Sequence, residues 1–354
     1  MNHFKGRSLL LVLFGSAIAI TLIIGWVFTH RGAFADQQAK PLSSSQFLKL
    51  VADVPLSSGS SRFDYQSLDE QQGRLYIAHL GAGSVTVFDT KAQKVVANIE
   101  ELPGVHGVLA VPSLKRVYAT ATDVNQVAAI DDRTLKIVAR TPTGKYPDGI
   151  AYDSDDGKVF ISNQFGRSNT VIDVQTNQAV ATIDLGGEVG NTQYDPVSKR
   201  IFAAIQTRNQ LVAVNPKTQQ VVGRYDLPEC DHPHGLFIEK ARRMAYVACE
   251  DNAKLVALSL TNMQVISTHS VGSGPDVLAF DRDWRRLYVA AESGVVSIFQ
   301  QQGETLVKLE DVFVDNKAHT VAVNQQTHNI YLPLEQVGKQ PVLRILEAKP
   351  FQQP

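Results

Sequence analysis

The sequence predicts an all-β chain: a seven-bladed β-propeller, closed by an N-terminal strand and preceded by a hydrophobic signal or anchor helix. Three observations predict it. An aromatic residue inside a β-rich run returns seven times, at Tyr76, Tyr118, Phe160, Phe202, Tyr246, Tyr288 and Tyr331, with intervals of 42, 42, 42, 44, 42 and 43 residues. Each repeat divides into short runs rich in Val, Ile and aromatics and bounded by Gly, Asp, Asn or Pro, which is the punctuation of strands and turns. The last repeat lacks its fourth run, and a matching run stands near the other end of the chain.

The third repeat shows the unit. "DGIAYD" (148–153) reads as the first strand and the following Asp-Asp-Gly as a turn; "KVFISN", "NTVIDV" and "QAVATIDL" complete four strands. Four strands every ~40–45 residues is the pattern of a propeller blade. No segment after residue 60 carries a helical period. The seventh copy stops after "PVLRILEAKP" (341–350), while "FLKLVADVPLSSG" (47–59) resembles the fourth-strand run "QKVVANIEELPG" (93–104). Residues 45–58 are therefore expected to supply the missing strand. Without it, an open ring exposes unpaired strand edges and the faces of two blades.

The N-terminus is of another kind. Lys5 and Arg7 precede 20 uncharged, mostly apolar residues, Leu9 to Phe28. That exceeds the ~7–15 residues of a signal peptide's apolar region and suffices for a bilayer span of roughly 17–25. "AFA" at Ala33–Ala35 fits a small-x-small cleavage site. Cleaved signal and uncleaved anchor both stay open, and both export the rest of the chain. The expected organisation is residues 1–35 as signal or anchor, 36–44 as linker and 45–354 as propeller. The product is periplasmic or extracellular, held to the membrane through residues 9–28 if uncut.

The chain has 354 residues, 44% of them hydrophobic and 19% charged, a composition that supports a real core. Its net charge of −1 argues against a nucleic-acid binder working through bulk positive charge. Repeats of the type "VYATATDVNQVAAIDDRTLKIVARTPTGKYPDGIAYD" (117–153) resemble the YVTN-repeat β-propeller family over roughly residues 45–350. The resemblance implies seven blades and leaves function open, since one propeller fold hosts many activities.

Twelve residues before each anchor aromatic lies one structural slot. It holds Asp64, His106, Asp148, Gly190, His234, Asp276 and His319. In a propeller this slot begins the innermost strand, beside the central channel. The ends of the second strands share that face: His79, Asn163 and Cys249 at matched positions, followed by Gln164, Gln206, Glu250, Glu292 and Glu335. Asp64, His79, His106, Asp148, Asn163, His234, Glu250, Asp276 and His319 are accordingly the candidate binding residues. Cys230 enters blade five on the same face as Cys249, and a disulfide is expected of the pair. Two buried thiols or a thiolate metal site are the alternatives.

His106, His234 and His319 fall in blades two, five and seven and approach the axis from nearly even directions. Three imidazoles around one point suit a divalent metal, zinc at about 2.0–2.1 Å or calcium with added oxygen ligands. The layout is similar to the three-histidine zinc site of peptidyl-hydroxyglycine lyases. A structural reading competes with it. Strand side chains alternate faces, and a polar residue at a strand's start often bonds the loop backbone, a role suited to Asp64, Asp148 and Asp276. The His-Gly and Asp-Gly pairs at 106–107, 148–149 and 234–235 suit a tight turn. His232 reads as a loop residue, and His30 and His328 have no assigned partner.

GxSxG, HExxH, P-loop, CxxC and CxxCH motifs are all absent, against a serine hydrolase of the usual sort and a covalent haem. Two functions remain. One is a binding or scaffold protein that presents a polar His/Asp-lined channel mouth to a ligand or to an extracytoplasmic protein, peptide or glycan. The other is a metal-dependent lyase or lactonase with His106, His234 and His319 as ligands and Asp276 or Glu250 as base. A redox accessory role is a weaker third, because the chain carries no cofactor motif.

Overall fold

The recurring aromatic is the wedge between neighbouring blades. Tyr76, Tyr118, Phe160, Phe202, Tyr246, Tyr288 and Tyr331 are all 0–3% exposed. Each sits in the middle of a second strand, where it packs against the adjoining sheet. The computed structural model describes residues 36, 38–56, 59 and 61–350. The predicted signal or anchor helix and the Ala33–Ala35 cleavage site lie outside them. Among the described residues no helix is long and apolar enough to cross a membrane.

Seven sheets form the ring. Blade three has strands Pro147–Asp153, Lys158–Asn163, Ser168–Asp173 and Gln178–Asp184, paired antiparallel in chain order. The other blades repeat this meander. Every first strand starts at the channel mouth, and every second strand returns there. Seven hydrophobic clusters among the described residues match the seven interfaces between adjacent blades. A propeller therefore has no single core, and each blade buries both its faces against neighbours.

The ring closes as the repeat predicts. Leu48–Pro55 pairs antiparallel with Gln340–Ala348 as the outer strand of blade seven. Leu56 and Phe63 then pack with Tyr331, Leu343 and Ile345 across the seam to blade one. Arg344 clamps the added strand, donating from Nε and Nη2 to the Asp53 carboxylate at 2.8 and 2.6 Å.

The stretch 36–44, expected to be a linker, contributes to the fold. Lys40–Pro41 lies parallel to Val312 and Phe313 as a fifth strand of blade six. The Lys40 ammonium and the Ser45 hydroxyl both reach the buried Glu310 carboxylate, at 2.9 and 2.6 Å. Asp36 accepts a hydrogen bond from the Ser273 amide at 3.1 Å. Two-residue pairing carries no hydrophobic period, so nothing in the local sequence announces it.

Candidate functional site at the channel mouth

The slot residues converge where the first strands begin. A cavity of about 660 Å³ opens there, fed by side chains from blades one, two, three, five and six. Two neighbouring repeat positions build it. Asp64, His106, Asp148, His234 and Asp276 come from the slot itself, and Arg62, Gly104, Tyr146 and His232 from the residue two before it.

That upstream residue has a left-handed backbone in five blades: Gly104 (φ 63°), Tyr146 (60°), His232 (56°), Gly274 (64°) and Lys317 (58°). The conformation turns the chain into the strand and is mildly costly for any residue with a Cβ. Its carbonyl then accepts the amide of the residue after the second strand. These bonds run from Gln164 to Tyr146, from Glu250 to His232 and from Glu292 to Gly274, at 2.8–3.0 Å. The same pairing raises Gln164, Glu250 and Glu292 to the rim.

The glycine after the slot is not in a turn conformation, which corrects the expectation for residues 107, 149 and 235. Its role is close approach: a Cβ on Gly235 would lie 1.8 Å from the Asp276 carbonyl oxygen, and one on Gly107 2.0 Å from that of Asp148. Gly190 within the slot has a similar role, because a Cβ there would press on the His234 backbone at 2.8–2.9 Å. Blade four thus withdraws its side chain from the ring, and His234 occupies the room.

His234 is the centre of the floor. Its Nε2 lies 3.2 Å from the Tyr65 hydroxyl, 3.4 Å from Asp276 Oδ1 and 3.9 Å from Asp148 Oδ2. Its Nδ1 receives the Gln206 amide nitrogen at 2.6 Å, and Gln206 in turn accepts from Gln164 at 3.1 Å. In that arrangement Nε2 carries the proton. Adding a second proton requires the Gln206 amide to turn over and present its oxygen.

Burial and like charge shape the carboxylates. Burial, reinforced by Asp276, pushes Asp64 up to about 7. Burial pushes Asp148 up to about 6, against the opposing pull of His234 and His106. For His234, burial acts downward, but Asp276, Asp148, Glu250 and Asp64 outweigh it and hold the imidazole above its ordinary value. His232 is raised chiefly by its 3.1 Å bond to Glu250, and Glu250 is lowered by the same bond. Two carboxyls raised toward neutrality therefore share one cavity with two histidines held above their ordinary value, a pattern found at functional sites.

The structure distributes the other candidates differently. His106 lines the cavity, with Nδ1 at 2.7 Å from the Gly104 carbonyl and Nε2 at 3.1 Å from the Tyr146 hydroxyl. His79 is buried away from the cavity, stacked on Phe63 and bonded to Ser61, and burial lowers it to about 4. Asn163 is buried inside blade three and donates to Ser168 and Thr170. Glu335 pairs with Lys317 at 3.2 Å. Cys230 and Cys249 form a disulfide, with Cα atoms 5.2 Å apart. His328, unassigned from sequence, stacks on Trp284 and bonds the Asp281 carboxylate at 2.7 Å.

The three-histidine metal centre does not assemble. His319 is 1% exposed, and both its ring nitrogens face backbone carbonyl oxygens, of Lys317 and Phe63, at 3.0 Å. With both ring nitrogens turned to the backbone, His319 does not join His106 and His234 in one ligand set among the described residues. Among the described residues, the trio of potential ligand atoms that comes together is Asp276, Glu292 and His319, within 4.8 Å. Glu292 there is already matched by Arg62 at 2.6 Å, so this set also fits a metal poorly.

Sequence reading missed Arg62, Tyr65, Tyr146 and Phe165. Reading the repeat two residues upstream of the slot would have found Arg62 and Tyr146. Tyr65 breaks the repeat, as a lone aromatic directed at the channel, and only the fold shows its contact with His234.

The sequence model of YNCE-like beta-propellers matches residues 57–195. The YncE proteins of Salmonella typhi and Salmonella typhimurium are each 31% identical over 96 residues, which is 27% of this chain and 27% of each relative's length. Among solved structures, hydrazine synthase of Kuenenia stuttgartiensis superposes with a TM-score of 0.71 at 14% identity, covering 82% of this chain and 97% of that one. A streptogramin B lyase gives 0.72 at 12%, covering 86% and 98%. Virginiamycin B lyase from Staphylococcus aureus gives 0.71 at 11%, covering 85% and 99%. At these identities the likeness is one of fold.

Proposed function

Taking the chain as a seven-bladed β-propeller with YncE as a homologue, we propose that it is an exported binding protein. Its ligand, or a side chain of a protein partner, enters the cavity at the channel mouth. One observation carries this reading. Five blades direct Arg62, Asp64, His106, Asp148, His234 and Asp276 at one 660 Å³ space, within the size range of ligand pockets. Residues that served only their own blades, as Asn163 does, would not converge. The rigid ring supplies preorganisation, since the cavity is assembled from strand starts and not from long loops.

The test is a thermal-shift screen of the full-length protein with sugars, carboxylates and amines, repeated with His234→Ala and Tyr146→Ala. At least one class is expected to raise Tm by several degrees in the parent and less in both variants. No shift from any class, or a shift equal in parent and variants, overturns the reading.

A lyase or lactonase remains the second reading. It is favoured by Asp64 and Asp148, two carboxylates held near 7 and 6 in the same cavity as His234, values that suit general acid–base work. It requires turnover of the bound ligand with a pH profile that Asp64→Asn removes. A ligand recovered unchanged excludes it.

A further inference from the structure

Resting on the receptor reading, we propose that the cavity recognises a positively charged organic nitrogen, an alkylammonium or guanidinium group, carried by a free amine or by a partner's side chain. Three observations point to it.

The first is charge. Asp123, Asp148, Glu250 and Asp276 face the cavity, with Asp64 only partly ionised at neutral pH, against one permanent cation, Arg62. Arg62 is itself engaged, with Nη1 2.6 Å from a further carboxylate, Glu292. The histidines share the excess acid without cancelling it: His232 is taken up by Glu250, and His234 lies between Asp148 and Asp276.

The second is an unfilled acceptor. Asp276 lines the cavity and is 8% exposed, yet its Oδ1 has no hydrogen-bond partner. Its ion-pair contact is His234 Nε2 at 3.4 Å, whose proton is shared with the Tyr65 hydroxyl at 3.2 Å. A buried carboxylate oxygen without a donor is costly, and an ammonium or guanidinium N–H would satisfy it with a charge-assisted bond.

The third is an aromatic wall. Tyr146 and His106 line the cavity and pack edge-on at 5.1 Å, and Phe165, outside the lining, backs Tyr146 with ring centroids 4.5 Å apart. Phe165 is 45% exposed, and the chain's own Lys145 ammonium already rests 5.9 Å from its centroid. Acid below and an aromatic face beside it is the chemistry of organic-cation recognition. An inorganic ion would use the carboxylates and gain nothing from the wall. A neutral sugar would leave the acid excess unmatched.

Isothermal titration calorimetry on the full-length protein tests this. The probes are cadaverine, agmatine and a doubly blocked lysine, with 1-pentanol and pentanoate as neutral and anionic isosteres. The cations are expected to bind, more weakly as salt rises, and the isosteres are not. Asp276→Asn should weaken binding roughly tenfold, the loss of one charge-assisted bond. Glu250→Gln serves as a second variant should Asp276→Asn misfold. Tyr146→Ala should weaken binding several-fold. Preference for blocked lysine over the free diamine marks a protein partner, and the reverse a small molecule; either supports the proposal. Equal binding of 1-pentanol or pentanoate, or amine affinity unchanged in both acid variants, overturns it. If amines fail while a sugar or carboxylate binds in a His234-dependent way, the receptor reading stands and the cation is wrong. If nothing binds, both fall.

Discussion

Arg344 and Asp53, 291 residues apart in the chain, form a two-point ion pair at 2.8 and 2.6 Å across the seam of the ring. The guanidinium also bonds the Val314 carbonyl and lies 3.3 Å from Asp315. One side chain thus ties the N-terminal strand to blade seven and to the exit of blade six. Arg344→Ala should cost about 2–3 kcal/mol, somewhat below the loss for a fully buried pair, because Asp53 keeps partial solvent contact. Equilibrium urea denaturation measures it. A loss below about 0.5 kcal/mol would show that the strand is held by its backbone ladder alone.

The Cys230–Cys249 disulfide closes a short loop that carries His232 and His234 into the cavity. Replacing both cysteines by serine should lower stability by roughly 3 kcal/mol on chain-entropy grounds. It should also weaken whatever the cavity binds, because the His232–Glu250 contact sits beside the same bridge. Denaturation and ligand titration of the double variant check the two effects separately. Full ligand affinity at reduced stability would confine the bridge to a folding role.

Stability should fall as pH rises from about 4 to about 7. Asp64 is raised to about 7 and Asp148 to about 6, both from an ordinary 3.8, so the folded chain holds protons in this window that the unfolded chain has released; His234 and His232, held above 6.5, carry the decline past it. Groups raised in this way stabilise below their unfolded values, and that contribution disappears as pH climbs through the folded ones. Between about pH 4 and 6.5 His79, which burial lowers to about 4, opposes one of the two carboxyls. Tm should drop by roughly 2–4 °C per kcal/mol lost, and Asp64→Asn should flatten the decline. A Tm that rises steadily from pH 4 to pH 7 would contradict this assignment.

Gly235→Ala tests the close packing around the channel. The new methyl would meet the Asp276 carbonyl oxygen at 1.8 Å, and backbone cannot yield as a side-chain tip does. A loss of about 2–3 kcal/mol is expected, with widened spacing between blades five and six. Circular dichroism melts read the first, and ligand affinity the second. Gly303→Ala, where nothing lies within 4 Å although φ is +64°, is the milder comparison at about 1 kcal/mol. Equal losses at the two sites would remove the steric argument.

The blade count, the closing strand and the slot were legible because repetition makes a weak signal additive. One Tyr in a β-run says little, but seven at near-constant spacing define an architecture, and the slot is then found by counting. The disulfide was legible for the same reason, since both cysteines fall on one end of one blade. Direction was not legible. His319 shares the slot of the cavity residues, and His79 and Asn163 stand one residue before the rim position of Gln164 and Glu250, yet their side chains turn into blade interiors, bonding Phe63, Ser61 and Ser168. A repeat fixes where a Cα lies and not which rotamer fills the local space. Features outside the period, such as Tyr65 and the Lys40–Pro41 strand, leave no trace in it.

The hydrogen bond from the Ser273 amide to Asp36 has a directional outcome. Ser273 precedes Gly274 in the loop that enters blade six at the mouth, beside Glu292 and its partner Arg62. Asp36 is therefore held on the same side as the cavity. A fluorophore at residue 36 would stand beside the opening and report on what enters it.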